Sequence, residues 1–394
     1  MKHLIIKASE ILEDKFKIKP EKTKLYLHKN IQEFLNKTRN PQALAMFIPK
    51  DLSAHVPRDR LDFILHEYHG HGLYCEQTSY GKKMVEDENN FGNMSQEEIQ
   101  KALLLHEYQS PNFEGHALWT EDFLLTSLGK VDLLEKRLRE LEGLTFKSRF
   151  HPDLRTQKDV YNRIKQFELK EGIYELWYSL GFPRQFDERT LIEIAKEKLK
   201  LRFNNLVLLI HFGSKNPKGD IDLCAVLEDN IKLDEYEDSR TIDMPQYSYS
   251  DLLRRIKLFD IVVTQPLLTG ELIYGNENEF ERLKIELREQ KPDEEAIEYL
   301  QERSKWCFNY AVECFEESEI YFNALELTLN NLSYALSYHK FVEVYSQGSS
   351  VIIVDNINNP LLSQIRTYMK STDDKKEKIN KTKEFIEVVR KEIY

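Results

Sequence analysis

Cysteine, glycine and proline are scarce in this chain, and each shortage excludes something. Four cysteines, Cys75, Cys224, Cys307 and Cys314, occur in 394 residues with no CxxC pair. A secreted disulfide framework is therefore not encoded, and the thiols read as reduced. Only 14 Gly and 12 Pro are present, which fits a helix-rich globular protein. Long apolar runs are missing as well. The longest, around Leu206 to Ile210, falls far short of the roughly 20 residues a membrane helix needs. The start MKHLIIKASEILEDKF turns acidic before a signal-like apolar region can form, so a cytoplasmic location and no membrane partner are expected. Positive charge is in deficit, with a net charge of −11. That balance argues against a general nucleic-acid surface and against anionic membranes, and it leaves room only for local basic pockets.

What is present points to several domains, because 394 residues exceed what one ordinary core supports. Residues 1–145 carry apolar side chains at three- and four-residue spacing in ILEDKFKI, YLHKNIQEFLNKT, DRLDFILHEYHGH, QEEIQKALLLHEY and EDFLLTSLGKVDLLEKRLRELEG. This predicts a mostly α unit. Residues 146–185 mix charge, Pro and aromatics and read as a connector. Across 186–292 the pattern alternates: TLIEIAKEKLKLRF as helix, NLVLLIHF and DIDLCAVL as strands, DLLRRIKL as helix, FDIVVTQ as a third strand. That is an α/β unit. Residues 293–394 return to long helices, broken at Gly348, Ser349 and Ser350 and again at Asn359-Pro360. The fold class is α+β multidomain.

The stretch LHEYHGHGLYCE, residues 65 to 76, concentrates three histidines and two glutamates in twelve positions. His66-Glu67 and His71 form HExxxH, one residue longer than the zinc signature HExxH. Residues five apart on a regular helix are about 140° out of phase. His66 and His71 could therefore share a metal only if a π-bulge absorbs the extra residue, and Gly70 sits next to that place. The competing reading is a polar helix end. Downstream, NFEGHALWTEDFLL offers Glu114 as a third ligand and Glu121, two turns later, as a group that could orient one. His69, His106 and His116 are rival ligands.

HEYHGHG followed by EGHALWTE resembles the glutamate-zincin metallopeptidases, and its HExxGHG form is similar to that of the dipeptidyl-peptidase III family. The resemblance covers about residues 55–130. It implies a Zn²⁺ site of His66, His71 and Glu114, with Glu67 as general base and a peptide as substrate.

In LLIHFGSKNPKGDIDL a strand ends, a Gly-Ser turn follows, and Asp220 and Asp222 flank Ile221 on the next strand. A strand's period of two puts both carboxylates on one face, a hard oxygen site suited to Mg²⁺. Gly213 permits close backbone approach, and Ser214 could hold phosphate oxygens. The pattern resembles the nucleotidyltransferase superfamily of polymerase-β type over residues 190–290. That resemblance implies Mg²⁺-dependent transfer of a nucleotide from an NTP such as ATP to a protein or RNA acceptor. It also places the third carboxylate at Asp260, which opens FDIVVTQ. Here only KNPKG separates Ser214 from Asp220, a shorter loop than the family's, and Lys215 and Lys218 could compensate as point charges.

The C-terminal helices resemble the HEPN-like bundles that accompany such transferases. Within 293–394 no His follows an Arg at that family's ribonuclease spacing, so no ribonuclease activity is expected. Trp306, Phe308, Tyr310, Phe315 and Phe322 read as core, and the bundle could either complete the nucleotide pocket or form a homodimer interface. Together these readings predict a bifunctional protein, with a zinc-dependent peptidase-like hydrolase and a Mg²⁺-dependent nucleotidyltransferase. The alternative is a regulatory or toxin–antitoxin-like nucleotide-binding protein with one or both sites inactive.

Overall fold

The computed structural model describes residues 1–38, 43–213, 215–217, 219–231, 241–290, 293–313, 325, 328–333, 335, 344–347, 350–353, 360–369 and 375–393. The chain divides into two compact units, Met1–Gln185 and Phe186–Tyr394. Among the described residues no helix is long and apolar enough to cross a membrane.

The first unit opens with α1 (Lys2–Phe16), β1 (Lys24–His28), α2 (Ile31–Thr38), β2 (Met46–Ile48) and β3 (Ser53–Pro57). The three strands form a small sheet of order β1-β3-β2, parallel between β1 and β3 and antiparallel between β3 and β2. YLHKNIQEFLNKT thus holds the end of a strand before its helix, where one helix was expected. The chain continues through α3 (Leu61–Ile64), a π-helical segment (Leu65–His71), α4 (Gly72–Gln77) and α5 (Ser79–Asn90). Then follow the long α6 (Gln96–Ser127), α7 (Val131–Gly143), α8 (Gln157–Glu171) and α9 (Ile173–Ser179).

Helix α6 starts at a reciprocal capping box between Ser95 and Glu98, which satisfies donors left open by the first turn. Pro111 lies inside it and has no N–H for the carbonyl of Glu107. The Ser110 hydroxyl donates to that carbonyl instead, at 2.8 Å. Residues 146–185 are part of this unit rather than a linker: Leu154 and Val160 pack with Leu118 and Leu141, and Trp177 of α9 stacks on Phe16 of α1 at 4.0 Å. Phe16, Trp119 and Trp177 are fully buried, each contributing about 2–3 kcal/mol through burial.

The second unit contains α10 (Glu188–Leu199), β4 (Leu206–Phe212), β5 (Ile221–Leu227), β6 (Ile242–Asp243) and β7 (Gln246–Ser248). It continues with α11 (Tyr249–Lys257), α12 (Ile261–Thr269), β8 (Glu271–Gly275), α13 (Glu277–Glu289) and α14 (Glu294–Glu313). Strand β4 is central, antiparallel to β5 and β8, while β6 and β7 both run parallel to β5. One sheet face, bearing Leu208, Ile210, Cys224 and Val226, packs on Leu252, Ile256, Val263, Leu267, Phe280 and Leu283.

Two expectations for this unit change. FDIVVTQ is not a third strand but the start of α12, whose buried Ile261 and Val263 fill the core. The stretch read as continuous helix up to Gln347 contains β9 (Val344–Gln347), paired antiparallel with β10 (Ser350–Ile353). Two of the aromatics expected in the core are on the surface: Trp306 is 55% and Tyr310 40% exposed, stacked on each other at 5.6 Å. Phe308 is partly buried beside Ala311 and Leu325, and Phe315 and Phe322 lie outside the described residues.

Candidate metal and acidic sites

Residues Leu65–His71 are π-helical, and the Gly72 N–H donates to the carbonyl of Glu67, five residues back. In that register residues five apart stack above one another, so His66 and His71 share a face. The segment crosses α6 closely because Gly70 has no side chain: a Cβ there would meet the Ala117 Cα at 2.6 Å. Glu114 stands on α6 about one turn before Ala117. Its two oxygens approach His66 Nε2 at 3.7 Å and His71 Nε2 at 3.8 Å, and one donor atom from each of the three residues lies within 4.8 Å of the others. Tetrahedral ligands held 2.0–2.1 Å from one zinc are about 3.4 Å apart. This set of two imidazoles and a carboxylate therefore fits zinc in both chemistry and spacing.

The surroundings orient the trio. Nδ1 of His66 lies 3.2 Å from Glu121 Oε2, and Arg137 donates to Glu121 at 3.0 Å. Both partners are buried. Nε2 of His66 is thereby left to face Glu114. Phe113 stacks on the His71 ring at 3.9 Å. Burial works against a charge on His66, but the carboxylates of Glu114, Glu121 and Glu67 outweigh it and push its pKa up to about 10. Burial holds His71 down at about 3. Burial pushes Glu67 up to about 7, against the opposing pull of His66 and Arg137, and so poises it to exchange a proton near neutrality.

The rival histidines serve elsewhere. His69 Nε2 is 3.0 Å from the Ser9 hydroxyl, His116 is buried among Tyr74, Trp177 and Phe182, and His106 faces Asp87 at 3.4 Å. Sequence reasoning missed Arg137 and Phe113. The first sits in a charged heptad-like stretch and the second in an ordinary aromatic context.

In the second unit, Gly213 follows the end of β4 at Phe212, with φ at +76°. A Cβ at Gly213 would lie 2.0 Å from Asp222 Oδ2, so both the backbone turn and the carboxylate require glycine. Asp220, Asp222 and Asp243 bring one oxygen each within 4.8 Å of the others. Asp243 owes its place to parallel pairing of β6, which sets it level with Asp222. Burial and the neighbouring Asp220 push Asp222 up to about 6, as closely grouped carboxylates do without a cation. Three oxygens of this kind suit a hard divalent ion such as Mg²⁺.

Asp260 does not join them. It caps α12 by accepting from Val262 N–H, and Arg255 and Tyr299 each donate to it at 2.6 Å. It belongs with Tyr247 and Arg255, and Tyr247 lies level with Val226, four residues along β5 from Asp222. Asp243 was missed because TIDMP is too short to show alternation, although an Asp beside a strand-edge Pro was a legible hint. Lys215 is paired with Glu271 rather than free for a phosphate. Ser214 and Lys218 lie outside the described residues.

No protein-family model matches the chain, and no curated protein matches it. Among solved structures it is similar to a nucleotidyltransferase-like protein from Exiguobacterium sibiricum, with 13% identity and a TM-score of 0.27, over 52% of this chain and 74% of that one. A likeness of that size supports neither fold nor function.

Proposed function

We propose that the first unit is a zinc-dependent peptidase-like hydrolase. The observation that supports it is the π-helical register, which turns HExxxH from two opposed histidines into one face closed by Glu114. His66, His71 and Glu114 would hold the ion; when bound, zinc supplies Lewis acidity toward water and a peptide carbonyl. Glu67 takes the proton of the attacking water at its carboxylate and returns it to the leaving amine, a role suited to a buried acid near pKa 7. Glu121, held by Arg137, keeps the His66 ring in place.

A second reading concerns the other unit and rests on a different observation, the Asp220, Asp222 and Asp243 group beside the Gly213 turn. It is a Mg²⁺-dependent nucleotidyltransferase that moves NMP from an NTP, with ATP the first to try, to a protein or RNA hydroxyl. Mg²⁺ would neutralise the triphosphate there, and the glycine turn lets the chain pass close to it.

Elemental analysis of the purified protein beside His66→Ala tests the first reading: about one zinc per chain, lost in the variant, is expected, and zinc in neither overturns it. Glu67→Gln should keep the metal and lose cleavage of a peptide library. For the second, labelled NTP should transfer its label in wild type and not in Asp222→Asn. Nucleotide bound without any transfer would give this unit to the regulatory alternative.

A further inference from the structure

Between α7 and α8 the segment LTFKSRFHPDLRT, residues 144–156, folds back on itself. Its base is closed by the Thr145–Thr156 bridge and by Phe146 N–H donating to the Arg155 carbonyl at 2.8 Å. Phe146 and Leu154 anchor it from below in the small core under α6. The loop is therefore a fixed frame rather than a free tether.

That frame carries a shallow, open pocket of about 390 Å³ lined by Lys147, Arg149, Arg155, Thr145, Ser148 and Glu107 among others. Three cations face one carboxylate. The carboxylate is already engaged, because Glu107 pairs with the Arg149 guanidinium at 2.7 Å and also accepts the Arg149 backbone N–H at 2.9 Å. Arg155 acts on Asp159, whose carboxylate accepts the Arg155 backbone N–H at 3.0 Å, and both Lys147 and Arg155 are exposed at the pocket's wall. In a unit whose acidic and basic residues balance this is a local cationic recess with hydroxyls at its wall, the arrangement that receives a phosphate.

Aromatic faces stand beside it. Tyr108, next to Glu107 on α6, is 52% exposed, and Phe150, next to Arg149, is 41% exposed. Their rings are 5.7 Å apart, and His151 Nε2 fixes the arrangement at 3.0 Å from the Tyr108 carbonyl. The Arg149 guanidinium lies 5.3 Å over Phe150. Large aromatics left in water beside exposed cations are the pattern that binds single-stranded nucleic acid, with phosphates on the cations and unstacked bases on the rings. A duplex would offer the rings no base face.

We propose that this loop is a docking site for single-stranded RNA, holding a backbone phosphate at Lys147 and Arg155 and a base on Tyr108 or Phe150. The site is separate from the metal trio and from the acidic trio, and it stands whether or not either is active.

Fluorescence anisotropy of a labelled ten-nucleotide uridine strand with the full chain tests this. Lys147→Glu/Arg155→Glu should weaken binding tenfold or more and flatten the plot of log K against log salt by about 0.7, the amount for one phosphate contact on a single strand. Tyr108→Ala/Phe150→Ala should weaken it by about 5- to 150-fold, as expected for about 1–3 kcal/mol of stacking per base. Both pairs are exposed, and the milder Lys147→Gln/Arg155→Gln serves if charge reversal disturbs folding by circular dichroism. Lys82→Glu/Lys130→Glu, the same charge change at other exposed positions of the unit, should leave binding unaltered. RNA binding that survives the first pair, or falls equally with the Lys82 and Lys130 pair, overturns the proposal. So does displacement of the strand by UMP or by an acidic peptide at equal phosphate or carboxylate concentration, which would make the loop a small-anion or peptide site.

Discussion

Substituting Gly70 with alanine probes whether the crossing of the π-helical segment over α6 sets the zinc site. The new Cβ would lie 2.6 Å from the Ala117 Cα, whereas ordinary contact begins at 3.4 Å, so the two segments must part by about 0.8 Å. Metal–ligand distances tolerate about 0.2 Å. Since His66 and His71 ride on one segment and Glu114 on the other, the displacement separates the histidines from the carboxylate. Loss of a ligand should cost zinc affinity at least the roughly 10- to 100-fold that follows from disturbing a ligand's support. Overpacking costs about 1–3 kcal/mol, and alanine returns about 1 kcal/mol of helix propensity. The net loss of about 0–2 kcal/mol should lower Tm by no more than about 8 °C and leave the unit folded. Competition with a chromophoric chelator reads the affinity, and calorimetry the Tm. Adding Ala117→Gly should not restore binding, because the nearest atom is backbone. Wild-type zinc affinity in Gly70→Ala, or rescue by Ala117→Gly, would refute the reasoning.

Arg137→Met removes one of the two cations on buried Glu121, leaving His66, and should destabilise the first unit by about 1.5–3 kcal/mol; a Tm within a degree of wild type would show that the pair is not structural. Metal uptake should release about one proton at pH 7, because His66, with its pKa pushed up to about 10, carries a proton that a ligand cannot keep. Affinity should accordingly rise between pH 7 and 9, and calorimetry in two buffers of different ionisation enthalpy counts the proton. Asp222→Asn should raise Tm at pH 7.5 without Mg²⁺ and remove any gain from it. The reason is that Asp222 is pushed up to about 6 from 3.8, so its ionised form is disfavoured in the folded chain and opposes folding as pH rises through that window. Asp260→Asn should do the reverse, lowering Tm by weakening the Arg255 and Tyr299 contacts while leaving Mg²⁺ binding untouched.

The grouping of His66, His71 and Glu114 was legible because a single spacing constrained the backbone: two histidines five apart on one face leave only a π register, and a neighbouring glycine marks where it fits. The β4–turn–β5 unit was legible from period-two alternation around Gly213. Asp260 misled because a short apolar, β-branched run can be a buried helix as well as a strand, and the local cue that decides, an aspartate as N-cap, is the same residue that looked like a strand-opening ligand. Asp243 was hidden because its position depends on a parallel pairing between segments twenty residues apart. The 146–185 segment looked like a connector from its charge and proline, yet Leu154, Val160 and Trp177 bury themselves against α6 and α1. No periodicity within the segment reveals a surface supplied by distant helices.

Helix α6 carries Glu107 and Tyr108 of the cationic loop, then Pro111, then Glu114 and Glu121. Seven residues of helix span about 10 Å, so a strand held by the loop would lie within a nucleotide or two of the metal ligand along one rod. The rod is not uniformly stiff. At Pro111 a backbone rung is replaced by the Ser110 hydroxyl, a side-chain contact that can lengthen without breaking the helix on either side. The Gly70–Ala117 crossing holds the stretch beyond that rung against the π-helical segment.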